Sequence, residues 1–373
     1  MADETRIYRL IPLTPVHFGT GAVLNPEEYA LDGVHLVRLD ARAILRRMNG
    51  DGRAKYESLL DRGDLKAAQE LIQKFWVFLG KQDTKDADKL VRHRSFLGEG
   101  SREELRSMVE RPERNGAVNA LPRNPHTGCV TIPGTGIKGA LRTAITNWFA
   151  ESPDGQKRVR SRMDEEGRRW NGQAMEEAAL QYTRREMERD PLRLVHVSDG
   201  EWPADCVRVD QGRLRKLGAD PGSEVGVQVH AERLLSRADG EEMPESRITI
   251  RLETKSRIVA TNAQLFPAVV TWKMMKEAAD YFFLTRLKKE LDTFQWLARG
   301  SERWAPATVE ANQMILRVGR WCHFDSLSVN VFREGENHRT HEKLTETGAT
   351  RMSCDLATGG EAPYGWVLLD MVP

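Results

Sequence analysis

Residues 5–13 (Thr-Arg-Ile-Tyr-Arg-Leu-Ile-Pro-Leu) alternate polar and apolar positions and run out at Pro15, the pattern of a half-buried strand. After a turn-rich stretch from His17 to Pro26, the segment Tyr29 to Leu39 reads as a hairpin turning on Asp32-Gly33. Asp40 is placed to cap a short helix that ends at Met48. Leu59, Leu60, Leu65, Leu71, Ile72 and Phe75 predict a helical stretch from about Arg53 to Leu79. Residues 81–120 are polar, rich in loop formers and predicted irregular.

Farther on, Cys129-Val-Thr-Ile predicts a short strand, followed by a glycine loop and a helix from about Lys138 to Ala150. Residues 151–190 mix charges of both signs and read as a solvated helical insertion, broken at Asp190-Pro191. Leu192-Arg-Leu-Val-His-Val predicts a strand, as do the runs 204–209, 225–230 and 247–253. An amphipathic helix is predicted from about Trp272 to Leu297. Met314-Ile-Leu-Arg-Val-Gly and Tyr364-Gly-Trp-Val-Leu-Leu close the chain. Short strands mixed with helices, without regular βαβ alternation, indicate an α+β fold, and the hairpin opening favours antiparallel sheets.

Composition narrows this picture. At 373 residues the chain is long for one ordinary domain. Its 40% hydrophobic content can supply a core, which excludes general disorder. With 56 Lys and Arg against 55 Asp and Glu, the net charge is +1, so any polyanion must be met by a local concentration of cations. The four cysteines (Cys129, Cys206, Cys322, Cys354) form no closely spaced pair, which argues against structural zinc. The amino terminus is no signal peptide, and no apolar run nears the roughly 18 residues of a membrane span. A reduced, cytoplasmic compartment is the expectation.

Three glycine loops carry the candidate chemistry. In Thr131-Ile-Pro-Gly-Thr-Gly-Ile-Lys-Gly-Ala-Leu-Arg-Thr-Ala, Gly134, Gly136 and Gly139 lie between a strand and a helix. Bare main chain and a helix N-terminus present N–H groups to an anion. Lys138 and Arg142, four apart, share one helical face beside Thr135. The same spacing also fits a tight turn with a solvated Lys–Arg face. The G-x-G-x-x-G match lacks the second strand and acidic residue of a dinucleotide unit, because about forty charged residues follow. Nor is it a P-loop, since Gly139 follows Lys138. The second loop is Leu13-Thr-Pro-Val-His-Phe-Gly-Thr-Gly. Gly19 and Gly21 bare the backbone there, and Thr14 and His17 can donate to phosphate or ribose; His17 could equally be a structural histidine. The third, Leu316-Arg-Val-Gly-Arg-Trp-Cys-His-Phe-Asp, sets Arg317 and Arg320 about Gly319. Trp321 and Phe324 suit either base stacking or a core.

Leu13-Thr-Pro-Val-His-Phe-Gly-Thr-Gly near the start, followed along the chain by Ile132-Pro-Gly-Thr-Gly-Ile-Lys-Gly-Ala-Leu-Arg-Thr-Ala, resembles the RAMP superfamily of CRISPR-associated proteins, and within it the family of the fifth subunit of type III-A (Csm) effector complexes. Asp190-Pro-Leu-Arg-Leu-Val-His-Val-Ser-Asp and Pro363-Tyr-Gly-Trp-Val extend the likeness across the chain, while the charged insertions match nothing. The resemblance implies modified ferredoxin-like (RRM-like) modules, here divided as 1–190 and 191–373. It implies a subunit capping the 3′ end of the guide RNA (crRNA) at the end of a backbone filament. The partners implied are crRNA, single-stranded target RNA and other Csm-type backbone and small subunits. His17, Gly19, Gly21, Gly134, Thr135, Gly136, Lys138 and Arg142 would face RNA. Arg317, Gly319 and Arg320 match the family's late, more glycine-rich loop less well.

Related subunits cleave RNA with an acidic loop residue, yet Asp32, Asp199 and Asp325 sit in no metal-ligand cluster and read as caps or turn formers. His338-Arg-Thr-His341 is a weak metal pair, and Ser198-Asp199 beside His196 has no triad spacing. No catalytic residue, metal or cofactor is therefore assigned. The alternatives are an endoribonuclease using His17 or an acidic loop residue, a paralogous type III backbone subunit, and a nucleotide-dependent oxidoreductase on the 134–139 glycines.

Overall fold

The computed structural model describes residues 4–110, 116–167, 171–216, 229–240, 242–253, 270–336, 343–344 and 350–373. The first strand, Glu4–Pro12, runs as its alternation predicts: Tyr8 and Leu10 are buried, while Ile7 and Arg9 face out. It lies inside a five-stranded sheet ordered Gln313–Arg317, Trp366–Met371, Glu4–Pro12, Arg247–Leu252, Val195–Val197, and every neighbouring pair is antiparallel. The helix Gly134–Glu151 lies between the first strand and Val195–Val197 in the chain, and the helix Trp272–Thr293 follows Arg247–Leu252. These two helices pack on each other, and both touch the sheet. Setting aside the edge strand Gln313–Arg317, the connection is β-α-β-β-α-β, the ferredoxin-like arrangement. One hydrophobic core unites the sheet and both helices, from Leu10 and Ile250 to Leu141, Phe282 and Trp366.

The second sheet holds nine strands, from Val23–Leu24 at one edge to Tyr29–Asp32 at the other. It is mixed: Val207–Lys216 runs parallel to Val91–Leu97, and Val229–Leu234 parallel to Val118–Asn119. The expected antiparallel arrangement therefore holds for the first sheet and not throughout the second. Both sheets also draw strands from either side of residue 190, and Glu4–Pro12 pairs with Trp366–Met371. A division at 190/191 thus does not separate packing units, because the chain's two ends close one sheet. Among the described residues no helix is long and apolar enough to cross a membrane.

Several local expectations hold with their stated causes. The hairpin turns with Gly33 at φ +57°, and Asp40 accepts from the Ala43 amide at 3.0 Å to cap the helix Ala41–Arg47. The helical stretch after it is two helices, Gly50–Asp61 and Leu65–Gln82, interrupted where Gly63 takes φ +70° and Asp64 caps the second. Residues 81–120 are more regular than their composition indicates, with the strand Val91–Leu97 and the helix Glu99–Glu110. The inward positions of that strand include His93 and Ser95, which bond to the buried Glu232, so its alternation is not one of hydrophobicity. Part of the predicted 225–230 strand and the His338–His341 pair lie outside the described residues.

Candidate nucleic-acid interface

The strand Val130–Ile132 feeds straight into the helix Gly134–Glu151, so the glycines occupy its first turns instead of a loop ahead of it. Pro133 precedes them with an extended backbone (ψ 117°). Gly134 is buried, and a Cβ there would stand 2.5 Å from the carbonyl oxygens of Val197 and Ser198; only glycine lets the helix start so close to that strand. Its amide donates to Asp199 Oδ1 at 2.7 Å, so a side chain from the Asp190–Asp199 motif already occupies the first donor. The Gly136 amide donates to the Pro133 carbonyl. Thr135 is exposed, and its amide has no partner among the described residues.

The two cations of this helix differ. Arg142 donates to Glu176 at 2.7 Å and to Asp190 at 2.5 Å, and Asp190 also accepts from the Leu192 amide. Its charge is matched inside the chain. Lys138 makes no ion pair among the described residues; partial burial and then the neighbouring Arg142 push its pKa down. An anion arriving there would offset both effects by favouring the charged ammonium.

Phe18 joins the glycine helix to the loop after the first strand. Its ring lies 3.7 Å from where a Gly136 Cβ would be, and it is itself buried. Beyond it, Gly19, Thr20 and Gly21 are exposed, with Gly21 at φ +79°. None of their amides has a partner among the described residues. Thr14 and His17 turn the other way. Thr14 is fully buried and accepts from the Trp366 amide. His17 is 1% exposed, and its Nδ1–H donates to the Glu232 carbonyl at 2.7 Å. That bond fixes Nε2 as an unprotonated acceptor. Instead of reaching out toward RNA, the ring props the loop from below.

The third loop docks on the second, an association the sequence did not reveal. The Arg320 amide donates to the His17 carbonyl at 2.8 Å. Gly319, at φ +85°, passes so near that a Cβ would be 2.5 Å from that same oxygen. Trp321 stacks on the His17 ring with centroids 5.2 Å apart. Arg317 is buried and pairs with Glu290 at 2.8 Å, whereas Arg320 is exposed and meets no carboxylate among the described residues. The structure therefore joins the Gly19–Gly21 loop, with Gly19 against Arg320 and Phe18 against Gly136, into one surface, and leaves Thr135 exposed and Lys138 half-buried on the glycine helix. It assigns His17, Gly134, Arg142, Arg317 and Gly319 to holding that surface in shape.

The acidic candidates have structural occupations. Asp32 sits at the hairpin tip, Asp199 caps Gly134, and Asp325 pairs with the buried Arg351. Among the described residues no three His, Cys, Asp or Glu side chains converge as a metal site. Phe18 and Asn119 were missed as site residues. Phe18 stands inside the second motif, but Asn119 reaches Arg320 from 201 residues away and leaves no sequence signal.

Burial lowers the pKa of His17 and His93, and lowers that of His230 to about 4. These rings take up protons less readily when folded, while unfolded histidines take them up from about pH 6.5 downward. The unfolded state then binds more protons, so stability falls with falling pH. Between about pH 7 and about pH 5 the Tm is expected to drop by roughly 2 °C or more. A flat thermal-shift profile across that window would contradict the placement of these rings.

Comparison with known proteins gives the family and the fold. The RAMP superfamily model matches residues 9–295. No curated protein sequence matches significantly. Among solved structures, a chain of the Csm-crRNA-target RNA ternary complex from a type III-A CRISPR-Cas system superposes with a TM-score of 0.66 at 17% identity, covering 99% of this chain and 100% of that one. Csm5 from T. onnurineus gives 0.58 at 16% identity, covering 97% and 99%. At these identities the likeness is one of fold. The family match runs from the first strand through both glycine motifs to the end of the long helix, and on it the chain belongs to the RAMP superfamily.

Proposed function

We propose that this chain is a non-catalytic, RNA-binding subunit of a type III-A CRISPR effector complex, gripping the guide RNA through its main chain. The observation that carries the reading is a set of exposed amides, those of Gly19, Thr20, Gly21 and Thr135, that are unpartnered among the described residues, with Arg320 against Gly19 and Lys138 on the same helix as Thr135, neither cation in an ion pair among the described residues. Exposed N–H groups at a helix start, with flanking cations, suit the phosphates of a single strand without reading its bases. The structural neighbour that contains crRNA and target RNA supports these as partners, together with neighbouring Csm-type backbone and small subunits. A place at the guide's 3′ end, capping the filament, follows from the sequence likeness to the fifth subunit. Support for a non-catalytic role comes from the site itself: its carboxylates serve as caps and ion-pair partners, and His17 is buried beneath the loop.

Lys138→Ala tests the reading. Fluorescence anisotropy with single-stranded RNA should show similar weakening for unrelated sequences, and a log–log salt slope smaller by about 0.7, the share of a single phosphate. An unchanged slope would remove Lys138 from the interface. RNA that stays intact beside the unmodified protein, with and without magnesium, is the expected companion result.

A further inference from the structure

We infer that Arg320 is a shelf on which one unpaired nucleobase stacks, next to the phosphate-facing glycine helix. The inference rests on the RNA-binding reading and adds to it a second kind of interaction. Arg320 is exposed, yet it is held at several points. Its amide is fixed on the His17 carbonyl, and its Nη1 donates to Asn119 Oδ1 at 2.8 Å. Asn119 is locked in turn, since its Nδ2 donates to the His230 carbonyl at 3.1 Å. The guanidinium carbon lies 5.2 Å from the centre of the Trp321 ring. That ring is braced by His17 at 5.2 Å and by Tyr364 at 4.8 Å. Trp321 keeps φ +66°, a conformation that bulky side chains rarely adopt and that the surrounding structure must impose.

Trp321 itself is half-buried between these neighbours, so the flat group more open to solvent is the guanidinium. A planar cation backed by an aromatic ring is a stacking surface for the π-face of any base. Part of its N–H fork is already engaged by Asn119, while free phosphate donors stand across Phe18 on the glycine helix and the Gly19–Gly21 loop. Gly19 allows the close approach: a Cβ there would lie 3.3 Å from Arg320 Cδ. Backbone and base of neighbouring nucleotides would thus be held by separate, adjoining groups.

Arg320→Lys keeps the charge and removes the plane, and Arg320→Ala removes both. Neither substitution touches the core, and unchanged Tm values check this. The probe is a uridine strand of roughly 12 nucleotides, within the usual span of single-strand sites, with an abasic ribose placed at each position in turn. The full-length protein is expected to lose about tenfold in affinity at one abasic position. Arg320→Lys should lose about as much on the intact strand and nothing more on that abasic strand. The shelf is overturned if no abasic position matters to the unmodified protein, or if Arg320→Lys binds the intact strand normally. It is also overturned if Arg320→Ala weakens intact and abasic strands alike with a smaller salt slope, which would make Arg320 a phosphate ligand. In each of those cases the Lys138 result stands independently, so the two readings fail separately; no RNA binding by the unmodified protein would overturn both.

Discussion

Glu290→Ala is expected to destabilise the protein by about 3–5 kcal/mol, because it leaves the buried Arg317 guanidinium without a carboxylate and takes one of two from the buried Arg351. Glu290 is 1% exposed in the long helix Trp272–Thr293. One carboxylate oxygen accepts from Arg317 at 2.8 Å and from Arg351 at 2.5 Å, and the other accepts from the Trp366 indole at 2.7 Å. Arg351 also pairs with Asp325, the last residue of the third loop, and Arg317 Nε donates to the Tyr364 carbonyl. The anion therefore ties the helix, the closing strand and the interface loop together. The mutational cost exceeds the net worth of the ion pairs, since the loss comes from unpaired charge left in the core. Thermal unfolding should shift by roughly 5 °C, and RNA affinity should fall as Arg320 and Trp321 lose their footing. A variant melting within about a degree of the parent would show that the network is solvated.

Gly319→Ala should lose about 2–5 kcal/mol and most RNA binding, whereas Gly21→Ala should lose only about 1–2 kcal/mol. Both residues have positive φ, +85° and +79°, so both substitutions strain the backbone. They differ in space. Nothing lies within 4 Å of a Cβ on Gly21, while a Cβ on Gly319 would meet the His17 carbonyl oxygen at 2.5 Å. That oxygen is the acceptor for the Arg320 amide, so relieving the clash pulls the second and third loops apart. Chemical denaturation and anisotropy on the pair separate backbone strain from steric clash. Equal losses for the two variants would mean that the loops are not docked as described.

The glycine motifs show how far sequence reasoning reached. The motif at 131–144 led to the right family and to a helix N-terminus with Lys138 beside it. Its physical reading needed revision, because Gly134 serves packing against Ser198 and gives its amide to Asp199. Lys138 and Arg142 look equivalent at a spacing of four, but only the structure shows Glu176 and Asp190 neutralising one of them. Arg317 and Arg320 flank Gly319 in the same way, and three residues of chain carry one into the core and leave the other outside.

What the sequence determined by itself is local: the alternating first strand, the Asp32-Gly33 turn, the Asp40 cap, the two helices of the ferredoxin-like sheet and the glycines where backbone is bared. These follow from side-chain period, φ preference and capping, all of which act within a few residues. Only the tertiary structure decided that both chain ends share one sheet, that the second and third loops dock through the His17 carbonyl, and which cations remain unmatched. Charge neutralisation and burial depend on partners tens to hundreds of residues away, such as Asn119 for Arg320, and no local pattern encodes them.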